Sequence, residues 1–169
     1  VMTDSINIYE DPLQLKTLGS RAFDLDGVSK KKQFFIKNGK VLTYLMGQYS
    51  ANQLGLKTIA NAGGVSNCYV ESNYDGGLEE LTKDMKKGLI VTDLMGHGIN
   101  TTTGDYSRGA SGFWVEDGQI QYPVSGITIA DNLKTMLKNI IYVGNDIDLR
   151  SNLKVGSTLI NEMTIAGEG

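Results

Sequence analysis

The sequence predicts an α+β domain that is mainly β, with antiparallel sheets in a barrel-like or sandwich-like arrangement and two short amphipathic helices. Three observations lead to this prediction. Glycine accounts for 21 of 169 residues and proline for only 2, which is typical of a chain with many tight turns and bulges. Two Asx-Gly pairs stand between segments rich in aliphatic and aromatic residues. Several short segments alternate polar and apolar side chains, as half-buried strands do.

The first part of the chain predicts a strand, a hairpin and one turn of helix. Residues 5–9 alternate polar and apolar side chains and predict the strand. The pair Asn38-Gly39 supplies the two positive φ angles of a type I′ turn. We therefore expect residues 33–37 and 40–46 to pair as a hairpin. Residues 50–56 are compatible with the helical turn.

The middle of the chain predicts a short helix between two strands. The strands are residues 67–71 and 89–95, both rich in apolar side chains. Residues 78–87 predict a helix because three apolar side chains share one face at helical spacing, and Gly88 suits the position just past its end.

The last part of the chain predicts a second hairpin and a longer helix. Asp117-Gly118 joins residues 112–116 to residues 119–122, and short strands follow at 127–129 and 158–165. The helix begins at the capping residue Asp131 or Asn132 and ends at Gly144. Its apolar stripe consists of Leu133, Met136, Leu137, Ile140 and Ile141.

Composition and charge exclude several classes of function. The formal net charge is −3, so the chain is a poor candidate for binding nucleic acid through phosphate neutralisation. Its one basic cluster, Lys30 to Lys32, is interpreted as a solvated strand edge. No apolar run has the length of a membrane span, and the start of the chain lacks the regions of a signal peptide. We expect one domain over residues 1–169, in the cytoplasm.

The chain has few residues that could bind zinc. Cys68 and His97 are its only cysteine and histidine, whereas zinc sites usually take three or four ligands, mainly from these two types. The sequence therefore predicts no metal site and no cofactor in this chain.

The densest polar stretch, residues 96–112, is the candidate functional surface. Ser107 or Ser111 could form a nucleophilic triad with His97 and Asp105, but no nucleophile elbow is present, and loop residues explain the pattern equally well. A structural ion pair with Asp105 is the favoured interpretation of Arg108, ahead of contact with a peptide carboxylate. The candidate substrate-binding or partner-binding residues are His97, Asn100, Asp105, Tyr106, Ser107 and Arg108.

The same stretch resembles the signature of the TldD/PmbA family, in particular its PmbA/TldE branch, long described as a modulator of DNA gyrase. The matching residues are Leu-Met-Gly-His-Gly-Ile-Asn at 94–100 and Thr-Gly-Asp-Tyr-Ser-Arg-Gly-Ala-Ser-Gly-Phe-Trp-Val-Glu at 103–116. Further similar segments lie at 19–28 and 49–56, where Asp26 replaces a glutamate usual in the family. The resemblance covers nearly the whole chain.

The resemblance implies that this chain is the C-terminal part of a longer protein, one subunit of a two-part cytoplasmic metalloprotease. Such an enzyme acts on peptides and unfolded chains. Its TldD-like subunit holds zinc through a helical His-Glu-x-x-x-His and a cysteine near the C-terminus, and this chain has neither. The implied role is therefore non-catalytic, and the candidate residues would line an interface with the TldD-like partner or a chamber for peptides.

Two other functions stay open on the sequence alone. The first is a self-contained hydrolase or homo-oligomer with an unrecognised site around His97 and Asp105. The second is a regulator that binds DNA gyrase directly, since an acidic chain can contact a basic partner.

Overall fold

The computed structural model describes residues 1–167, so Glu168 and Gly169, at the end of the predicted domain, lie outside the described residues. The chain folds as two compact units, which are described separately. The five-strand unit comprises Asp4–Asn73 and Ile147–Gly156, and the ribbon unit comprises Val1–Thr3, Tyr74–Asp146 and residues 157–167. In the described part of the chain, no helix is long and apolar enough to span a membrane.

Within residues 1–167, three short helices are interspersed among strands that are short except β6 and β7. In chain order they are β1 (Ile8–Glu10), β2 (Gln33–Lys37), β3 (Lys40–Val41), α1 (Gln48–Gln53), β4 (Cys68–Val70), α2 (Leu78–Met85), β5 (Gly88–Met95), β6 (Asp105–Glu116), β7 (Gln119–Asn132), α3 (Leu133–Lys138), β8 (Ile140–Val143), β9 (Leu153–Lys154), β10 (Thr158–Ile160) and β11 (Thr164–Ala166).

The five-strand unit is built on one sheet with the strand order β3-β2-β1-β4-β9. Its pairs are antiparallel except β4 with β9, which is parallel. The predicted first hairpin is confirmed, with φ of 49° at Asn38 and 68° at Gly39. Its second strand is shorter than expected, because pairing stops at Val41.

A buried ion pair lies in the five-strand unit. The side chains of Glu10 and Lys30 are both 0% exposed, and Glu10 Oε2 lies 3.4 Å from Lys30 Nζ. Gln33 Nε2 donates to Glu10 Oε1 at 2.8 Å, and the backbone N–H of Ser66 donates to Oε2 at 3.0 Å. The interpretation of Lys30 as part of a solvated strand edge is therefore wrong, because its ammonium turns inward to Glu10 and to the carbonyl oxygen of Ala60.

The ribbon unit is dominated by the long antiparallel pair of β6 and β7. The sheet order is β11-β7-β6-β5, which leaves β5 and β11 at its edges. The second predicted hairpin is confirmed, with φ of 49° at Asp117 and 72° at Gly118. Both strands are much longer than predicted, and β6 begins inside the polar stretch, at Asp105. A second, two-stranded sheet pairs β8 with β10.

The longer predicted helix is shorter than the sequence predicts. It stops at Lys138, and the next residues form β8, which pairs with β10. Its N-cap is confirmed, since the side chain of Asn132 accepts a hydrogen bond from the backbone N–H of Lys134 at 3.0 Å. Because Ile140, Ile141 and Val143 are β-branched, they favour strand pairing. No residue of α3 itself is fully buried.

The prediction of one last strand over residues 158–165 is wrong. This segment contributes to two strands, β10 and β11, which belong to different sheets. The predicted class itself is confirmed. The described residues form a mainly β fold with antiparallel sheets, and α2 begins where the sequence predicts it. None of the three sheets within residues 1–167 closes into a barrel.

Candidate functional site

The polar stretch forms a loop, residues 96–104, that connects the edge strand β5 to β6. The loop lies close against the start of β6. The backbone N–H of Ser107 donates to the carbonyl oxygen of Gly98 at 2.7 Å, and Ile99 forms an isolated bridge with Tyr106. A Cβ atom at Gly98 would lie 1.6 Å from the carbonyl oxygen of Ser107, so this close approach requires glycine.

Side chains of the loop hold it together from within. Asn100 Oδ1 accepts hydrogen bonds from the backbone N–H groups of Thr102 and Thr103, at 2.9 and 3.1 Å. The carboxylate of Asp105 accepts from Thr103 Oγ1 at 2.6 Å and from Asn132 Nδ2 at 3.3 Å. Two of the predicted binding residues, Asn100 and Asp105, are thus engaged in shaping the loop.

Of the remaining candidates, Tyr106 and Ser107 lie on opposite faces of β6, and His97 lies in the loop 96–104. Tyr106 is 8% exposed and packs with Ala110 and Ile129 in the small core of the ribbon unit. Ser107 and His97 are exposed. Within the described residues, the His97 ring makes no hydrogen bond to Asp105 or to either serine considered for a triad, so the structure does not assemble that triad.

The guanidinium of Arg108 bonds a different group from the predicted carboxylate of Asp105. Its Nη2 donates to the carbonyl oxygen of Leu94 in β5 at 3.1 Å, and its Nε is buried without a hydrogen-bond partner. The expected ion pair with Asp105 is wrong, because that carboxylate is turned toward Thr103 and Asn132. Within residues 1–167 the guanidinium has no carboxylate partner within 4.0 Å.

An open groove of about 670 Å³ lies in the ribbon unit beside these residues. It is bordered by α2, β5 and residues 158–163, and Tyr106 and Ile129 line it too. No pattern in the sequence predicts this groove. The sequence predicts the apolar face of α2, but the position of that face against β5 and residues 158–163 depends on strand pairings that leave no local signal. The apolar side chains that line it include Leu81, Met85, Ile90, Leu94, Met136 and Met163.

The residues present do not fit the metal that the family resemblance implies. Among residues 1–167 no group of three or more histidine, cysteine, aspartate or glutamate side chains is arranged to hold an ion. Burial, with a smaller effect from the charge of Glu10, raises the pKa of Cys68 to about 11. Its thiol therefore stays protonated near neutral pH, which disfavours a role as nucleophile or ligand. The placement of zinc in a partner subunit stays a prediction.

Comparison with known proteins shows the family to which this chain belongs. The PmbA/TldA metallopeptidase C-terminal domain matches residues 1–167. The chain is 50% identical over 168 residues to Metalloprotease PmbA of Escherichia coli O157:H7 and 49% identical over 167 residues to a PmbA homolog of Haemophilus influenzae. Each alignment covers 99% of this chain and 37% of the relative, so the chain spans little more than a third of their length.

Solved structures agree with this comparison. A candidate modulator of DNA gyrase from Bacteroides thetaiotaomicron superposes with a TM-score of 0.93 at 30% identity, over 99% of this chain and 38% of that one. A similarly described protein from Thermotoga maritima gives a TM-score of 0.86 at 31% identity, over 98% and 40%. This chain belongs to the PmbA/TldA metallopeptidase family and corresponds to its C-terminal domain.

Proposed function

We propose that this chain is the C-terminal, non-catalytic domain of one subunit of a cytoplasmic TldD/PmbA-type metalloprotease that cleaves peptides and unfolded chains. A TldD-like partner carries the zinc. This domain supplies a surface, formed by β5, the loop 96–104 and the start of β6, that contacts the partner or the peptide.

The observation that carries the proposal is the position of β5 at the edge of the described sheet. This strand ends its sheet, and residues 91–95 are all exposed. Val91, Leu94 and Met95 are 38%, 41% and 51% exposed. An edge strand offers unpaired backbone N–H and C=O groups to an added strand, and exposed apolar side chains add contact area.

The loop at the end of β5 supports the same role. Its shape is fixed by the hydrogen bonds of Asn100 and Asp105, so His97 and Ser107 are presented to solvent from a preorganised backbone. Preorganisation lowers the entropy cost of binding. The edge strand and the fixed loop together form a continuous surface for an extended polypeptide.

Gly98→Ala in the full-length protein tests this proposal. The added methyl group cannot fit against the carbonyl oxygen of Ser107, so the loop must move. Gly109→Ala is the matched control, because a Cβ there has only ordinary contacts, the nearest being Met95 Cβ at 3.5 Å. Each variant is co-expressed with a TldD-like subunit, and co-purification and cleavage of an unstructured peptide are measured.

We expect the control to assemble and cleave as the unaltered protein does. The Gly98→Ala variant should lose at least about tenfold in complex formation or in cleavage, while its melting temperature stays close to that of the control. Unaltered assembly together with unaltered cleavage in the Gly98→Ala variant would contradict the proposed surface. Failure of the unaltered protein to co-purify with a TldD-like subunit would contradict the subunit role.

A further inference from the structure

Within residues 1–167, no carboxylate lies within 4.0 Å of the guanidinium of Arg108. A guanidinium has five N–H donors and stays charged at any physiological pH. In the part of the chain that the structure describes, Nη2 donates to the neutral carbonyl oxygen of Leu94, and the buried Nε has no hydrogen-bond partner. A partly buried cation without a counter-charge is costly, so an anion placed here would gain a charge-assisted hydrogen bond.

Arg108 lies on the groove side of its sheet. Side chains alternate along a strand, so Arg108 shares a face of β6 with Tyr106 and Ala110. Its cross-strand neighbour on β7 is Ile129. Tyr106, Ile129 and Leu94 all line the groove, which places the guanidinium at its margin beside the edge strand.

The groove has the chemistry of a site for apolar side chains. Its volume of about 670 Å³ lies within the range of ligand pockets, roughly 300–1,000 Å³. Three methionines, Met85, Met136 and Met163, line it, and flexible thioether side chains adapt to differently shaped ligands. The cation that lines the groove, Lys87, is paired with Glu116 at 3.4 Å, and two carboxylates, Asp84 and Glu162, line the groove too. Arg108, at the margin of the groove, has no carboxylate partner within residues 1–167.

We propose that this groove binds an apolar peptide segment whose free C-terminal carboxylate is held by Arg108. The inference rests on the proposed peptide-contacting role of this surface and names the class of peptide. A terminal carboxylate fits better than an acidic side chain, because the guanidinium bonds a main-chain oxygen of β5. That oxygen belongs to Leu94, one residue before the end of β5, and we infer that a strand added along β5 would bring its terminal carboxylate there.

The test uses the full-length protein without its partner and a labelled hexapeptide of alternating alanine and leucine, with binding measured by fluorescence anisotropy. The free-acid peptide should bind at least about tenfold more tightly than the same peptide with an amidated C-terminus. Arg108→Gln should abolish this preference, whereas Lys87→Gln should keep it. Melting temperatures of both variants report whether they are folded.

Several results would overturn the proposal. They are no binding of the free-acid peptide, equal binding of acid and amide, and retention of the preference in folded Arg108→Gln. An amidated peptide with an internal glutamate that binds as tightly as the free acid would overturn the choice of a terminal carboxylate. These outcomes are independent of the subunit role, because co-purification with a TldD-like subunit is measured separately and does not require the preference.

Discussion

Glu10 and Lys30 form an ion pair from which water is excluded, so each charge depends on the other. Water cannot solvate either group, and the carboxylate is further held by Gln33, Asn61 and the backbone of Ser66. Removing one partner of such a pair leaves an uncompensated buried charge. We expect Lys30→Met to lower the free energy of unfolding by about 3–5 kcal/mol, measured by urea denaturation.

Lys32→Met is the matched control for this prediction. Lys32 also pairs with a carboxylate, that of Asp11 at 3.6 Å, but its side chain is 58% exposed. Water screens exposed pairs, so the loss should be at most about 1 kcal/mol. Equal losses in the two variants would show that the Glu10–Lys30 pair is solvated.

The carboxylate of Asp24 makes the stability of the fold depend on pH in the acidic range. Its carboxylate accepts hydrogen bonds from the backbone N–H groups of Asp26, Val28 and Ala62 at 2.9–3.0 Å. Burial opposes ionisation, but these three bonds, with a smaller effect from Lys30, hold the pKa of Asp24 below its ordinary value of 3.8. Since the folded pKa is the lower one, this stabilisation is complete above pH 3.8 and disappears as the pH falls through the folded pKa.

Asp24→Asn should therefore remove part of the acid sensitivity. The asparagine cannot titrate, and its amide would place a donor against the N–H of at least one backbone partner. We expect the variant to be less stable than the unaltered protein near neutral pH, and the difference to shrink below pH 3.8. Urea denaturation over a pH series measures it. A difference that stays constant across the series would mean that Asp24 does not titrate with a lowered pKa.

At the scale of elements, local signals predicted turns well and strand partners poorly. Asn38-Gly39 and Asp117-Gly118 determine their own geometry, so both hairpins were predictable from a few residues. The helix predicted up to Gly144 failed because apolar side chains at helical spacing also fit a short helix followed by a strand. Pairing of β8 with β10, which lies about 17 residues further on, decides between the two and leaves no local signal.

Two substitutions in β8 test this element boundary. Val143 is 1% exposed, whereas Ile141 is 37% exposed, although the predicted helix would bury Ile141 in its stripe. Val143→Ala should cost about 2 kcal/mol of unfolding free energy, and Ile141→Ala clearly less. Urea denaturation of the two variants compares them directly. A larger loss for Ile141→Ala would support the helix and contradict the strand.

At the scale of the whole molecule, the sequence predicts a candidate surface but not the contacts of its residues. Composition and the family signature identify the polar stretch. The roles of its individual residues depend on contacts with residues that are distant in the sequence. Asp105 bonds Asn132, 27 residues away, and Arg108 bonds the backbone of Leu94, 14 residues away. No pattern in the sequence distinguishes these contacts from a direct Asp105–Arg108 pair three residues apart.

The last prediction concerns the division of metal between subunits. Within residues 1–167, no group of three or more histidine, cysteine, aspartate or glutamate side chains is arranged to hold an ion, and the proposed function places the zinc in a TldD-like subunit. We expect the full-length protein, purified alone, to carry no stoichiometric zinc, and its complex with a TldD-like subunit to carry zinc. A chelator should abolish peptide cleavage by the complex. It should leave the melting temperature of the isolated subunit unchanged, because a subunit that binds no metal, as we propose, gains no folding free energy from metal binding. Elemental analysis and thermal denaturation of the same preparations measure both effects. One tightly bound zinc per isolated subunit, or a large fall in its melting temperature on chelation, would assign a metal to this subunit and contradict its non-catalytic role.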